Sequence, residues 1–407
     1  MTNKRKALVL GGTSDHIQLI KSLKLRGYQT ILLDYLENPP AKEYADKHIR
    51  ESTTDKELVL KVAQENKVDL VVATSIESAL LTAIYVSSKL NLPKHISYEK
   101  ALEITNKKKM KKVFFDNDIP SAQYIITNSV DVMDISKLKF PLVIKPVDSS
   151  SSKGVVKIWH KKDLISNFEN TINYSLTKEI IIEEFIEGDE ISVDCIVING
   201  KANVLFISKS IKTGSAELGF TIIGSQYPVG LSKEQTDLIN SIAQKIATSF
   251  SLNNSPLLIQ LIMTNEEVYV IECSARLGGG SKYSFIKQGT DFDLLDASIK
   301  QLHNETVELK INPSSCLLEM IYIYCKPGVI KEYEGLDTLK EDGVIIEYFI
   351  YKRQGSIIKN NIDSSDRPVG LLISALTEEE LKIKVAVIYK SLKVKDPSGK
   401  NLLLNTL

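Results

Sequence analysis

Up to about residue 105, apolar residues come in short runs separated by longer amphipathic stretches. Ala7-Leu8-Val9-Leu10 is a continuous apolar run, as expected of a strand buried on both faces. Gly11-Gly12-Thr13 then turns into a predicted helix through Ile17, Leu19, Ile20 and Leu23, which Gly27 ends. Thr30 to Asp34 is predicted as a second strand, Leu58 to Ala63 as a helix, Asp69 to Ala73 as a third strand and Ala79 to Leu90 as a helix. Strands alternating with helices in this way predict a parallel, doubly wound sheet.

The pattern then changes. A helix from Lys107 to Phe115 stops at Ile119-Pro120, and strands follow at Pro141 to Lys145, Val155 to Trp159, Ile180 to Phe185 and Ile191 to Ile198. Between the first two of these strands lies Asp148-Ser149-Ser150-Ser151-Ser152-Lys153-Gly154, a hydroxyl-rich loop with a glycine hinge. A helix from Lys233 to Phe250 precedes strands Leu257 to Met263 and Glu267 to Glu272. From about residue 312 a mostly β segment runs to a helix at Glu378 to Ser391. No internal repeat is visible. The 407 residues exceed one compact core and suit two to four domains.

Composition changes the picture in two ways. Net charge is zero, so a general polyanion binder is disfavoured, no nucleic-acid partner is expected, and any phosphate chemistry must come from local lysines. Cys195, Cys273, Cys316 and Cys325 form no CxxC pair, which argues against structural zinc and a disulfide framework and favours reduced thiols in a cytoplasmic protein. The apolar run after the basic N-terminus is too short for a signal-peptide core, and no stretch approaches the ~20 apolar residues that span a bilayer, so no membrane partner is expected.

The candidate chemistry rests on misplaced charges. Lys145 ends the apolar strand Leu142-Val143-Ile144 and needs an anion opposite it; Glu272 ends Val268-Tyr269-Val270-Ile271 and needs a cation. Phosphates facing the lysine and magnesium facing the glutamate would answer both demands. Residues two apart on a strand point the same way, so Ser274 joins Glu272 on one face, with Arg276 following and Gln260 on the preceding strand. Gly278-Gly279-Gly280 then permits close backbone approach to a ligand. Each element also has a plainer reading. Lys107, among Lys108, Lys109, Lys111 and Lys112, reads alone as a solvated helix face, and Glu183 to Glu190 as a charged hairpin. Gly11-Gly12-Thr13 with Asp34 lacks the G-x-G-x-x-G spacing and reads as a tight turn or a generic anion pocket before a dinucleotide site.

Taken in order, the elements resemble the ATP-grasp superfamily, especially its carboxylate–amine ligases such as the L-amino-acid ligases, and also the carbamoyl phosphate synthetase large chain. Asn106-Lys107 to Pro120 is similar to the family's first-lysine helix, Pro141 to Pro146 to its second-lysine strand, the serine loop to its phosphate-covering loop, and Glu272 to Arg276 to its E-x-N-x-R metal strand. The resemblance implies a mixed α/β and α+β protein. A Rossmann-like domain would occupy residues 1–105 and an ATP-grasp domain 106–312, with lobes of about 120–187 and 188–312. A small β-rich domain would occupy 313–407. It implies that Lys107, Lys145, Ser149, Ser150, Ser151 and Gly154 hold the phosphates of ATP, and that Glu183, Phe185 and Ile186 lie at the base and Glu190 at the ribose. Glu272, with Gln260 and Ser274, would hold magnesium, for which manganese can substitute. Arg276 and Lys145 would be catalytic, and Gly278, Gly279 and Gly280, with the loop Thr213-Gly214 to Gly219, would contact substrate. Gln260 stands where an acidic residue is usual and Ser274 where Asn is usual, which leaves the number of metal ions open. The implied activity joins a small acid, such as an amino acid, to an amine through an acylphosphate, with release of ADP and phosphate. Bicarbonate activation, as in carboxylases and carbamoyl phosphate synthesis, and a nucleotide-binding module with a decayed metal site are the alternatives. A homodimer is the family-level expectation.

Overall fold

The structure is a computed structural model that describes residues 4–131, 133–149, 152–212, 220–265, 267–359 and 363–405. Near the N-terminus, Lys47–Ile49, Gln29–Leu33, Lys6–Leu10 and Leu70–Val72 lie side by side, in that order, as a parallel sheet. The chain starts at an inner strand and winds outward both ways, as the alternating pattern predicts. The apolar runs are continuous because both faces are covered. Leu8, Leu10, Ile31 and Leu33 belong to one core and Ala7, Val9 and Leu32 to another.

A second, antiparallel sheet has the order Tyr124–Thr127, Ile180–Glu184, Leu142–Pro146 and Val156–Ile158. Helix Lys161–Ile172 packs on one face through Leu164, Phe168 and Ile172, against Leu142, Ile144, Ile180 and Ile182. Side chains alternate along a strand, so Lys145 and Glu183 point away from this core.

The third sheet has eight antiparallel strands. It runs from Val268–Ser274 through Ser255–Met263, Asp189–Ile198, Lys201–Lys212, Ile222–Tyr227, Leu317–Ile323 and Val369–Ala375 to Glu347–Ile350. It passes without a break across residue 312, because Ile222–Tyr227 pairs directly with Leu317–Ile323. Among the described residues no helix is long and apolar enough to cross a membrane.

Candidate active site

The first lysine is not on a solvated face. Asn106 caps helix Lys107–Asp116 by accepting from Lys109 N at 3.2 Å, and Lys107, Met110, Lys111 and Phe114 form its buried stripe. Lys107 and Lys111 therefore both point inward, one turn apart. The reading of Lys107 as part of a solvated stripe is wrong, and so is the placing of Lys111 among its exposed neighbours. Phe114 and Met110 carry the helix into the core, and the intervening lysines go with that face.

Glu183 supplies the anion opposite Lys145. Val143 pairs with Glu183 and Lys145 with Ile181, so Lys145 and Glu183 are diagonal neighbours on one face of adjacent strands. Lys145 Nζ is 2.6 Å from Glu183 Oε2, and Lys111 Nζ is 3.0 Å from Glu183 Oε1. Burial alone would raise the Glu183 carboxyl, but the two ammonium groups outweigh it and hold it at about 2. Burial pushes the Lys111 ammonium down despite Glu183.

A β-bulge aims Glu272. Leu261 pairs with Val270 but Gln260 pairs with Glu272, so Ile271 is an extra residue in its strand. Strict alternation would put Glu272 on the same face as Val268 and Val270, in the core. The bulge sends Cys273 to the core instead and turns Glu272 into the cleft beside Lys107. Lys107 Nζ is 3.4 Å from Glu272 Oε2 and donates to Ser149 O at 2.7 Å, tying the helix to the serine loop. Burial raises the Glu272 carboxyl, yet Lys107, Lys145 and Arg276 together hold it below its usual value. Lys107 and Lys111, one turn apart on the same helix face, reach Glu272 and Glu183 respectively, and Lys145 shares Glu183, so these groups line one cleft. The cation demanded by Glu272 is thus met by Lys107.

Arg276 lies past the end of the strand. Its Nη1 donates to Leu277 O at 2.8 Å, its Nη2 is 3.9 Å from Glu77 Oε2, and its buried Nε has no hydrogen-bond partner among the described residues. Glu77 reaches in from the first turn of helix Glu77–Leu90 in the N-terminal unit, and burial raises its carboxyl. The sequence pattern alone gives Glu77 no role. Its signal is a carboxylate directly after the apolar strand Leu70–Val72 and its turn.

The metal-facing group fits magnesium on its donors. Gln260 sits across the ladder from Glu272, and its amide nitrogen leans to Glu190 Oε1 at 3.5 Å. Ser274 Oγ is buried beside the Glu77 carboxylate. Among the described residues no three His, Cys, Asp or Glu side chains converge. One carboxylate with neutral oxygens suits a magnesium ion that keeps waters and phosphate oxygens as ligands.

At the expected base and ribose positions, Phe185 N donates to Pro141 O at 2.9 Å, Ile186 is half-buried, and Glu190 pairs with Lys212. Lys157 Nζ lies 3.4 Å from the centre of the Phe185 ring. Lys157 and Lys212 were both missed, because each lies in a strand whose neighbours give no hint of the hinge. Gly154, at φ +71°, ends the serine loop, where a Cβ would come within 2.9 Å of Tyr174. Ser150, Ser151 and the 213–219 loop lie outside the described residues. The N-terminal glycine turn is no dinucleotide site. Asp34 accepts from Gly12 N at 2.7 Å and Leu36 N at 2.8 Å, so a carboxylate already fills the place a pyrophosphate would take. Gly278 and Gly280 are buried and Gly279 is exposed, along a loop from Arg276 to Ser281.

Residues 138–284 match the family description "ATP-grasp domain". The chain is 23% identical over 350 residues to the L-arginine-specific L-amino acid ligase of Bacillus subtilis, covering 84% of each protein. It is 31% identical over 193 residues to a formate-dependent phosphoribosylglycinamide formyltransferase of Prochlorococcus marinus, covering 46% of this chain and 48% of that protein. The structure superposes on an L-amino acid ligase from Bacillus licheniformis with a TM-score of 0.80 at 20% identity, covering 97% of this chain and all of the other. Residues 138–284 thus carry an ATP-grasp domain, and over most of its length the chain is similar to L-amino acid ligases of the same fold.

Proposed function

We propose that the protein is an ATP-dependent ligase that joins a carboxylate, an amino acid or similar small acid, to an amine through an acylphosphate, releasing ADP and phosphate. The observation that carries this is the single cleft in which Lys107, Lys111, Lys145, Glu183, Glu272 and Arg276 meet from four separate segments. Lys107 and Lys145 would turn from their carboxylates to phosphate oxygens, which their ion pairs with Glu272 and Glu183 support. The Ser149 to Gly154 loop, held at its start by Lys107, closes over them. Glu272, Gln260 and Ser274 would hold magnesium, which supplies charge that offsets the phosphate oxygens when bound. The substrate carboxylate attacks the γ-phosphate in line. Arg276 stabilises the charge spread over the moving phosphoryl group and then over the acylphosphate. The amine then attacks the acyl carbon and phosphate leaves. Closure excludes water, which would otherwise hydrolyse the acylphosphate. The relative aligned over most of its length is named for L-amino acids, which supports an amino acid as one substrate.

The division into 1–105, 106–312 and 313–407 remains part of this proposal, as does a homodimer. Cys195, Cys273, Cys316 and Cys325 are all unpaired, which supports a reducing, cytoplasmic setting.

A phosphate-release screen of acid and amine pairs with ATP and magnesium tests the reading, with hydroxylamine as a trap for any acylphosphate. ADP and a hydroxamate formed only with particular acids are expected. ADP formed with bicarbonate, and unaffected by amino acids, would favour carboxyphosphate chemistry. Tight ATP binding without turnover on any pair would favour a decayed site.

A further inference from the structure

Resting on the reading that Lys145 turns to the phosphates of ATP, the geometry points to Lys111 as a positioning residue for nucleotide binding: it keeps Glu183 paired so that Lys145 can leave. None of the nucleotide, metal or substrate contacts assigned above belongs to Lys111. It nevertheless shares Glu183 with Lys145. Its Nζ is 3.0 Å from Oε1, while Lys145 Nζ is 2.6 Å from Oε2. Two ammonium groups thus face one carboxylate, one on each oxygen. The side chains of Lys111, Lys145 and Glu183 are only 2%, 8% and 8% exposed, so water screens little of the surplus charge. Burial pushes the Lys111 ammonium down, Glu183 pulls it back up, and Lys145 pushes it down again. Taken by itself, the second lysine burdens the fold, because Lys145 and Glu183 alone would make a neutral pair.

Lys111 is the lysine that stays. It lies one turn beyond Lys107 on helix Lys107–Asp116, in the buried stripe with Met110 and Phe114. Its Nζ is 3.5 Å from Val270 O, and the centres of the Phe114 and Tyr124 rings are each 5.9 Å away. These neighbours favour a fixed ammonium. Lys145 is the lysine that can move. It stands near the end of strand Leu142–Pro146, and the carbonyl of Val147, just beyond, accepts from Lys107 N at 2.9 Å. Lys145 and Lys107 thus flank the opening of the serine loop, where the phosphates are proposed to lie. Lys111 is set four residues, about 6 Å, further along the helix axis.

The balance reverses when Lys145 leaves. Without Lys111, Glu183 would then be a buried carboxylate with no cation. Breaking a buried pair from one side is strongly unfavourable, so a single lysine would be held by Glu183 and withheld from ATP. With Lys111 in place, Lys145 passes from one anion to another and Glu183 keeps a partner throughout. The triad carries one positive charge in excess, and the triphosphate supplies the anion that takes it up.

The test compares ATP affinity, by calorimetric titration with magnesium, and urea stability in wild type, Lys111→Met, Lys111→Arg, Glu183→Gln and the double variant Lys111→Met/Glu183→Gln. Lys111→Met should be at least as stable as wild type, since it leaves a neutral pair. Its Kd for ATP should nevertheless rise by roughly 100-fold, the scale of one stranded buried charge. Lys111→Arg keeps the cation and should recover most of that loss. In the Glu183→Gln background no carboxylate is stranded, so adding Lys111→Met should change Kd by less than about 3-fold. The same loss of affinity in both backgrounds would mean a purely structural role and overturn the assignment. So would an unchanged Kd in Lys111→Met, or a Lys111→Met protein that loses stability along with affinity. Lys145→Ala separates this proposal from the reading beneath it. If it leaves ATP affinity unchanged, the phosphate role of Lys145 and the role of Lys111 fail together. If it weakens ATP binding while Lys111→Met does not, the role of Lys111 alone fails.

Discussion

Glu183→Gln removes one charge from a buried triad without changing its volume. In the native protein Glu183 is shared by Lys145 and Lys111, whose side chains are 8% and 2% exposed. Holding its carboxyl at about 2 instead of 4.5 corresponds to about 3 kcal/mol in favour of the folded, ionised state. Removing one partner of a buried ion pair costs about 3–5 kcal/mol, because the remaining charge is left uncompensated. Both routes give a loss of about 3–5 kcal/mol, against a total stability of about 5–15 kcal/mol for a typical domain. Urea unfolding at neutral pH measures it directly. Adding Lys111→Met to Glu183→Gln removes one stranded ammonium and should recover at least about 1 kcal/mol. The pH dependence carries a second signature. Glu183 has a lowered folded-state pKa, so its contribution is complete above about 4.5 and is lost as pH falls toward about 2. The stability gap between wild type and Glu183→Gln should therefore close across that window. A loss under about 1 kcal/mol at neutral pH, or a gap that does not change on acidification, would refute the triad as the main restraint on this site.

Three further outcomes are expected. Glu272→Gln should lower ADP formation by roughly 100-fold or more in a protein that still folds, with some loss of melting temperature because Lys107 is left without its carboxylate; near-normal turnover would remove Glu272 from its role. Lys145→Ala should weaken ATP binding by roughly 10- to 100-fold in calorimetric titration, and unchanged affinity would mean the lysine serves Glu183 alone. Asp15→Ala strips the acceptor from the buried Ser281 N–H and should cost about 1–3 kcal/mol in denaturant unfolding, whereas a cost below about 0.5 kcal/mol would mean water replaces the carboxylate freely.

Elements whose own pattern determined them were legible in the sequence. The apolar run Ala7 to Leu10 could be nothing but a buried strand, and the helix at Glu378–Ser391 has the predicted bounds. Helix Lys161–Ile172 was missed, although Leu164, Phe168 and Ile172 recur every four residues, because its charged opening Lys161-Lys162-Asp163 resembles a loop. Strand Lys201–Lys212 was missed because buried Ser208 and Ser210 and a bulge between Val204 and Phe206 break the alternation expected of a half-buried strand. At the site, a charge in an apolar strand signalled Lys145 and Glu272, but their partners could not be read. Which anion meets Lys145 depends on the antiparallel register that brings Glu183 diagonally beside it. Where Glu272 points depends on one extra residue at Ile271, which period-two counting cannot anticipate. Lys111 was lost among like neighbours because lysine runs usually lie on solvated faces, and only the Met110 and Phe114 spacing marks it as inward.

The most direct test is a crystal structure with ADP, magnesium and a small acid. The nucleotide is expected to lie with its phosphates between Lys107 and Lys145, its metal on Glu272, and the acid beside Arg276. A nucleotide bound outside this cleft, with the Lys145–Glu183 and Lys107–Glu272 pairs undisturbed, would contradict it.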